Sequence, residues 1–325
     1  MLPDAESMAK MTVTNFYGTL SICLNVVLLN IVLQLAYHRP IASKDAPEHF
    51  TTTATVEAQP AIRSTDESLY VMYGDGNFTN DADDEEYLLN YIRSMTSRQS
   101  PGGRRLSNKQ RVDFSQVGGS QFVDKLLKQR RNGFFVECGA FKGEDLSDTL
   151  FFELQRNWTG ILIEAHPDYH REILRKNRNA FVLRACLSHS PRPGLVKFKL
   201  AGWGSGVSAL NKNVGDEYKN KNFPETEVQC FSLNSIMAAI GVRHIDFMVL
   251  DVEGSELPVL ETIDWKRLSI DVFNIEYSDY NRVNKLEKIR RFFNRTGGYK
   301  YKEVGKLPLG NVDTTAQDVL FMRVG

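Results

Sequence analysis

The chain has 325 residues, with 40 Lys plus Arg set against 40 Asp plus Glu, so its formal net charge is zero. No bulk attraction to a polyanion is built in, and no nucleic-acid partner is expected. The four cysteines, Cys23, Cys138, Cys186 and Cys230, form no C-x-x-C pair and have no histidine at ligand spacing, so no metal site is expected.

Phe16 to Tyr37 contains no charged residue. As a helix it would span about 33 Å, close to a bilayer core of roughly 30 Å. The run is long, only Lys10 is basic before it, and no small-x-small cleavage site follows, which favours an uncleaved signal anchor over a signal peptide. Flanking charges (Lys10 before; His38, Arg39 and Lys44 after, diluted by Asp45 and Glu48) nearly balance. The expectation is a single-pass type II membrane protein: 1–15 a short cytoplasmic tail, 16–37 in the lipid bilayer, the remainder lumenal. The endoplasmic reticulum, Golgi, endosome and plasma membrane are all open as locations.

Residues 38–110 read as a largely disordered stalk, with TTTAT, DADDEE and SRQSPGGRR in place of core-forming residues. Within it, YLLNYI at 87–92 suits one short amphipathic helix. Asn-x-Thr sequons stand at Asn77, Asn157 and Asn294 and support lumenal placement only slightly.

From residue 111 onward, apolar strand patterns and amphipathic helix patterns alternate. Ser120 is a plausible N-cap for the helix QFVDKLLKQRR. Phe134, Phe135 and Val136 form a buried strand that ends at Glu137 and enters a turn bracketed by Gly139 and Gly143. A helix follows over Asp148–Gln155, and Gly160–Glu164 is a second strand ending in an acid. Pro167 opens the next helix. Phe181–Leu187 is a third strand, and Leu195–Leu200 and Glu227–Leu233 are further ones. Asp246–Asp251 is a buried strand with Glu253 just beyond it. Glu256–Ile263 is helical, Asp271–Tyr277 is a strand carrying Glu276 near its end, and Asn284–Asn294 is a basic helix. Lys300–Val304 and Asp318–Val324 close the domain. The fold class is α/β, a Rossmann-like doubly wound parallel sheet with acids gathered along one rim. Glu164 stands where an acid that accepts from a pair of ribose hydroxyls belongs. Cys186 and Cys230 both fall on strands, and a disulfide and two buried free thiols both remain open.

These residues resemble the FkbM-type methyltransferase family from about Arg111 to the C-terminus. ECGAFKGE at 137–144, TGILIEAHP at 159–167, FMVLDVEGSELPVL at 247–260 and NIEYS at 274–278 carry the likeness, the third most specifically. NWTG at 157–160, RACLS at 184–188 and VQCFSL at 228–233 are similar to the membrane-anchored animal branch that includes the insect protein Star. The family resemblance implies S-adenosylmethionine bound by Glu137, Gly139, Gly143 and Glu164. It implies Asp251 and Glu253 at the methyl-transfer site, as general base or positioning groups. Phe141 and Lys142 depart from the family's usual Asn-x. The Star-like branch implies vesicle-mediated transport of membrane-anchored growth-factor precursors, ligands of the EGF receptor, or of other secretory cargo. That role is the first expectation, and an active membrane-anchored O-methyltransferase is the alternative.

Overall fold

The computed structural model describes residues 82–98, 103–115, 118–200, 223–277, 282–295, 300–307 and 318–324. The expected anchor at 16–37 and most of the expected stalk lie outside these residues. Among the described residues no helix is long and apolar enough to cross a membrane.

Five strands form a parallel centre: β2 (Phe134–Cys138), β3 (Thr159–Ile163), β4 (Phe181–Leu183), β8 (His244–Leu250) and β9 (Ser269–Glu276). Each is apolar on both sides, as a strand covered on two faces must be. Phe135, Leu162, Val182, Phe247 and Val272 point to one face. There they meet α2 (Gly119–Leu126), α3 (Leu150–Arg156) and α4 (Pro167–Lys176). Val136, Ile161, Met248 and Phe273 point to the other. There they meet α1 (Ala82–Met95), α5 (Leu233–Ala239), α6 (Glu256–Glu261) and α7 (Arg282–Arg295).

The sheet is mixed rather than wholly parallel. Its order is β1-β4-β3-β2-β8-β9-β11-β10, with β1 (Thr96–Arg98), β10 (Tyr301–Leu307) and β11 (Asp318–Arg323) antiparallel to their neighbours. From β2 the chain proceeds outward through β3 and β4, then returns to lay β8 on the opposite side of β2. The topological switch point therefore lies just beyond Cys138 and Leu250, where open α/β sheets bind ligands.

Three expectations need correction. The third strand does not run unbroken over 181–187. It leaves the main sheet after Leu183, and β5 (Cys186–Leu187) joins a second sheet of order β5-β7-β6, with β6 at Gly194–Lys199 and β7 at Glu225–Phe231. Cys186 and Cys230 are in register across β5 and β7 and form a disulfide. Ser120 does not cap its helix. Gly118 is the N-cap, and Ser120 Oγ instead donates to the carbonyl of Asp148 at 2.9 Å. The ordered domain also begins before residue 111. The helix expected at 87–92 extends over 14 residues and buries Leu88 and Ile92, because its apolar stripe has a sheet face to cover. The backbone N–H groups of Ser107 and Asn108 then donate to Glu144 Oε1 at 2.7 and 3.1 Å.

Candidate functional site

The turn after β2 is built by contacts within the chain. Gly139 has φ 78°, and a Cβ there would lie 1.9 Å from the carbonyl oxygen of Asp251. The Asp251 N–H donates to the Cys138 carbonyl at 3.2 Å. Gly143 has φ 73°, and a Cβ there would press Ile173 at 3.1 Å. Both glycines are thus required by backbone conformation and close packing. The same approach brings the glycine turn against the acidic tip of β8.

Glu137 is spent inside the protein. Ser147 Oγ and Thr149 Oγ1 donate to its Oε2 at 2.9 and 2.6 Å, and the Asp148 N–H donates to Oε1 at 3.0 Å. Arg178, with no exposed surface, stands 3.5 Å from Glu137 and donates through Nε to Glu153 at 2.9 Å. It also donates to the Gly143 carbonyl at 3.1 Å, so one guanidinium fastens both ends of the turn. Glu137 supports the turn from beneath and presents no open carboxylate.

Glu164 is 6% exposed. The Phe141 N–H donates to its Oε2 at 2.8 Å and the His166 N–H to its Oε1 at 2.7 Å. Burial pushes its carboxyl up to about 7 despite the hydrogen bonds from the His166 and Phe141 N–H groups. A carboxylate has about four acceptor sites. Two backbone donors leave capacity for about two further hydrogen bonds, the number a pair of ribose hydroxyls would offer. Phe141 takes a left-handed conformation, φ 48°, that is uncommon for a bulky side chain. Its ring meets Tyr169 edge-on at 4.6 Å, and His166 stacks on Tyr169 at 4.1 Å. Lys142 Nζ lies 5.1 Å from the Phe141 ring centre. The departure from Asn-x therefore places an aromatic and cationic lip beside Glu164.

The second half of the site is acidic. Asp251 and Glu253 follow β8 and keep partial exposure. Glu253 has φ 54° and Gly254 φ 94°, a tight turn held by Glu256, whose Oε1 accepts from the N–H groups of Val252 and Gly254 at 3.1 Å each. Lys285 Nζ pairs with Glu256 Oε2 at 2.9 Å. Asp318 opens β11 directly opposite Glu276 in register. Asn274 Nδ2 donates to Asp148 Oδ2 at 2.9 Å. Burial, followed by the charge of Glu276, raises the carboxyls of Asp251, Glu253 and Asp318, with Glu253 at about 8 and Asp318 at about 7. Asp251, Glu256 and Glu276 offer oxygen atoms within 4.8 Å of one another, a spacing one divalent cation could bridge.

The residues singled out in the sequence therefore divide. Gly139, Glu164, Asp251 and Glu253 gather at the switch point. Glu137 and Gly143 stabilise the turn from its protein side. Glu256, Lys285, Asp148 and Asp318 were not foreseen. Asp318 had a usable signal, because the first residue of an antiparallel strand shares a rim with the last residue of a parallel neighbour. Lys285 had none, since only the tertiary fold carries α7 to Glu256.

The family profile described as the methyltransferase FkbM domain matches residues 137–301, half of the chain. No curated protein matches the sequence. Among solved structures, methyltransferase FkbM from Methylobacillus flagellatus KT aligns at 14% identity and TM-score 0.39, over 64% of this chain and 48% of that one. This chain thus spans about half the length of that relative. The Burkholderia thailandensis 1,6-didemethyltoxoflavin-N1-methyltransferase, a structure holding S-adenosylhomocysteine, aligns at 12% identity and TM-score 0.31, over 63% of this chain and 75% of that one. A SAM-dependent methyltransferase from Aquifex aeolicus aligns at 11% identity and TM-score 0.33, over 68% and 96%. At these scores no activity passes from those proteins to this chain.

Proposed function

Because this chain belongs to the methyltransferase FkbM family, we propose that its rim binds S-adenosylmethionine and methylates a hydroxyl-bearing acceptor. The observation that carries this reading is the contact between the Asp251 N–H and the Cys138 carbonyl, 3.2 Å, which joins the glycine turn to the acidic tip. The donor set fits the cofactor in part. Glu164 retains about two acceptor positions for ribose hydroxyls, and Phe141, His166 and Tyr169 offer ring faces and edges beside it. When bound, the cofactor would supply a methyl group on a positively charged sulfur. Asp251 and Glu253 would orient the acceptor hydroxyl, and Glu253, whose carboxyl burial pushes up to about 8, would take the proton in its carboxylate form, which prevails above that pH. Calorimetry on the full-length protein in detergent tests the first step. Binding at micromolar cofactor, weakened tenfold or more by Glu164→Ala, is expected on the scale of a charged hydrogen bond. No heat at millimolar cofactor sinks the enzyme reading.

A second reading has its own support. The Cys186–Cys230 disulfide suits an oxidising compartment. With the uncharged run at 16–37, it favours a type II membrane protein of the secretory pathway whose domain is lumenal. In this reading the rim is a Star-like binding surface for a membrane-anchored growth-factor precursor, an EGF-receptor ligand in transit. Its test is export of such a precursor from the endoplasmic reticulum with and without this chain. Equal rates in both cells would remove it.

A further inference from the structure

We propose that Asn157 carries an N-linked oligosaccharide, an inference that rests on the lumenal reading above. Asn157-Trp158-Thr159 has the acceptor spacing. Such triplets arise by chance, so the fold around this one decides its value. Asn157 is exposed and ends α3 as its C-cap in the left-handed conformation, φ 56°. Asparagine tolerates that conformation better than most residues. Its Nδ2 donates to Asn132 Oδ1 at 2.7 Å, also on the surface. A glycosylated amide keeps one N–H, the number that bond needs.

The position within the sheet matters as much. Asn157 precedes the first residue of β3, whereas Glu164 follows its last. The glycan would therefore project from the end of the sheet opposite the rim, leaving the glycine turn and the acids open. An independent observation points to the compartment where such transfer occurs, because the same domain carries the Cys186–Cys230 disulfide.

The other two residues of the triplet date the reaction. Trp158 is fully buried, with Nε1 donating to the Arg130 carbonyl at 2.8 Å, and Thr159 Oγ1 donates to the Asn179 carbonyl at 2.9 Å. Once folded, neither is available to a transferase. Transfer therefore occurs on the nascent chain. Nδ2 forms a bond to the anomeric carbon of a lipid-pyrophosphate-linked oligosaccharide and gives up one proton. The lipid pyrophosphate leaves with the electron pair of the broken carbon–oxygen bond. The folded domain then holds the modified side chain outward.

The test uses the full chain expressed in secretory eukaryotic cells. Glycan release by a glycosidase in ¹⁸O water converts each occupied Asn to labelled Asp, read by peptide mass spectrometry. Label at Asn157 is the expected result. Asn157→Gly and Asn157→Asp, both of which accept the left-handed conformation, should each remove one glycan's worth of gel shift. Label at Asn77 or Asn294 with an unlabelled Asn157 peptide overturns this inference and leaves the lumenal reading standing. No label anywhere, with Cys186 and Cys230 recovered as free thiols, overturns both.

Discussion

Lys285 Nζ stands 2.9 Å from Glu256 Oε2 at the acidic rim, joining α7 to the turn that presents Asp251 and Glu253. Glu256 is fully buried, and burial outweighs the attraction of Lys285 in raising its carboxyl. Lys285→Met should therefore act differently at two pH values. At about pH 8 it strands a buried carboxylate and should cost about 3 kcal/mol, the scale for breaking a buried pair. At about pH 5 Glu256 can take up a proton, and the cost should shrink. Urea denaturation at both values checks this, and equal losses would show that packing, not charge, is at stake.

The rim also sets how stability depends on pH. Glu253 and Asp318 rise to about 8 and about 7, and Glu164 to about 7, each chiefly through burial. An acid that binds its proton more tightly when folded leaves the folded state more protonated than the unfolded one across that interval. Stability then falls as pH rises from the ordinary carboxylate range to 7–8. His244, raised to about 9 by hydrogen bonds to Asp246 and Asp271, acts in the same direction at the other end of the sheet. Its contribution is complete below the ordinary histidine value and is lost as pH rises through about 9. Thermal melts should therefore peak on the acid side of neutrality, and Glu253→Gln should flatten the decline without abolishing it. A melting temperature that climbs from about pH 5 to 8 would contradict these assignments.

Arg178 should be the most sensitive single position beneath the glycine turn. It is fully buried and serves Glu137, Glu153, Ser147, Thr149 and the Gly143 carbonyl. Arg178→Met leaves buried Glu137 without its cation and Glu153 with Arg104 alone, and a loss of about 3–5 kcal/mol follows. Against a typical stability of 5–15 kcal/mol, the domain should survive at low temperature with a much lower denaturation midpoint. Arg178→Lys should recover only part of the loss, because one ammonium cannot reproduce the fork that reaches both acids. Full recovery would mean that charge alone suffices.

The Cys186–Cys230 disulfide closes a sequence separation of 44 residues. Loop-closure entropy puts its contribution at about 4 kcal/mol. Cys186→Ser/Cys230→Ser, or mild reductant, should lower the denaturant midpoint accordingly. No change on reduction would mean that strain offsets the constraint.

Much of the fold was legible in the sequence, for a physical reason. FFVEC, GILI and DFMVL are covered on both faces, so their apolar runs carry the parallel centre in plain form. The antiparallel hairpin β10–β11 was visible as two strands but not as a direction, because strand patterns do not encode orientation. Phe181–Leu187 read as one strand since each residue suits a strand, and only the pairing of Cys186 with Cys230 divides it. At the site, Glu164 and Asp251 could be placed because both follow parallel strands. The distinction between Glu137, inward and satisfied, and Asp251, at the rim, depends on Arg178, some forty residues further on. Local spacing carries no trace of it.

A staple at the base of a loop also changes what the loop can tolerate. With Cys186 and Cys230 joined, the two ends of the chain between them are held together, and Cys186 packs against the same Phe198–Val228 cluster as Ala165, the neighbour of Glu164. Lengthening the enclosed chain adds entropy only logarithmically, about 0.6 kcal/mol for each doubling. The connection 189–193, between β5 and β6, is thus a place where residues can be inserted, a tag or an additional recognition element among them, while the strands that hold the rim keep their register.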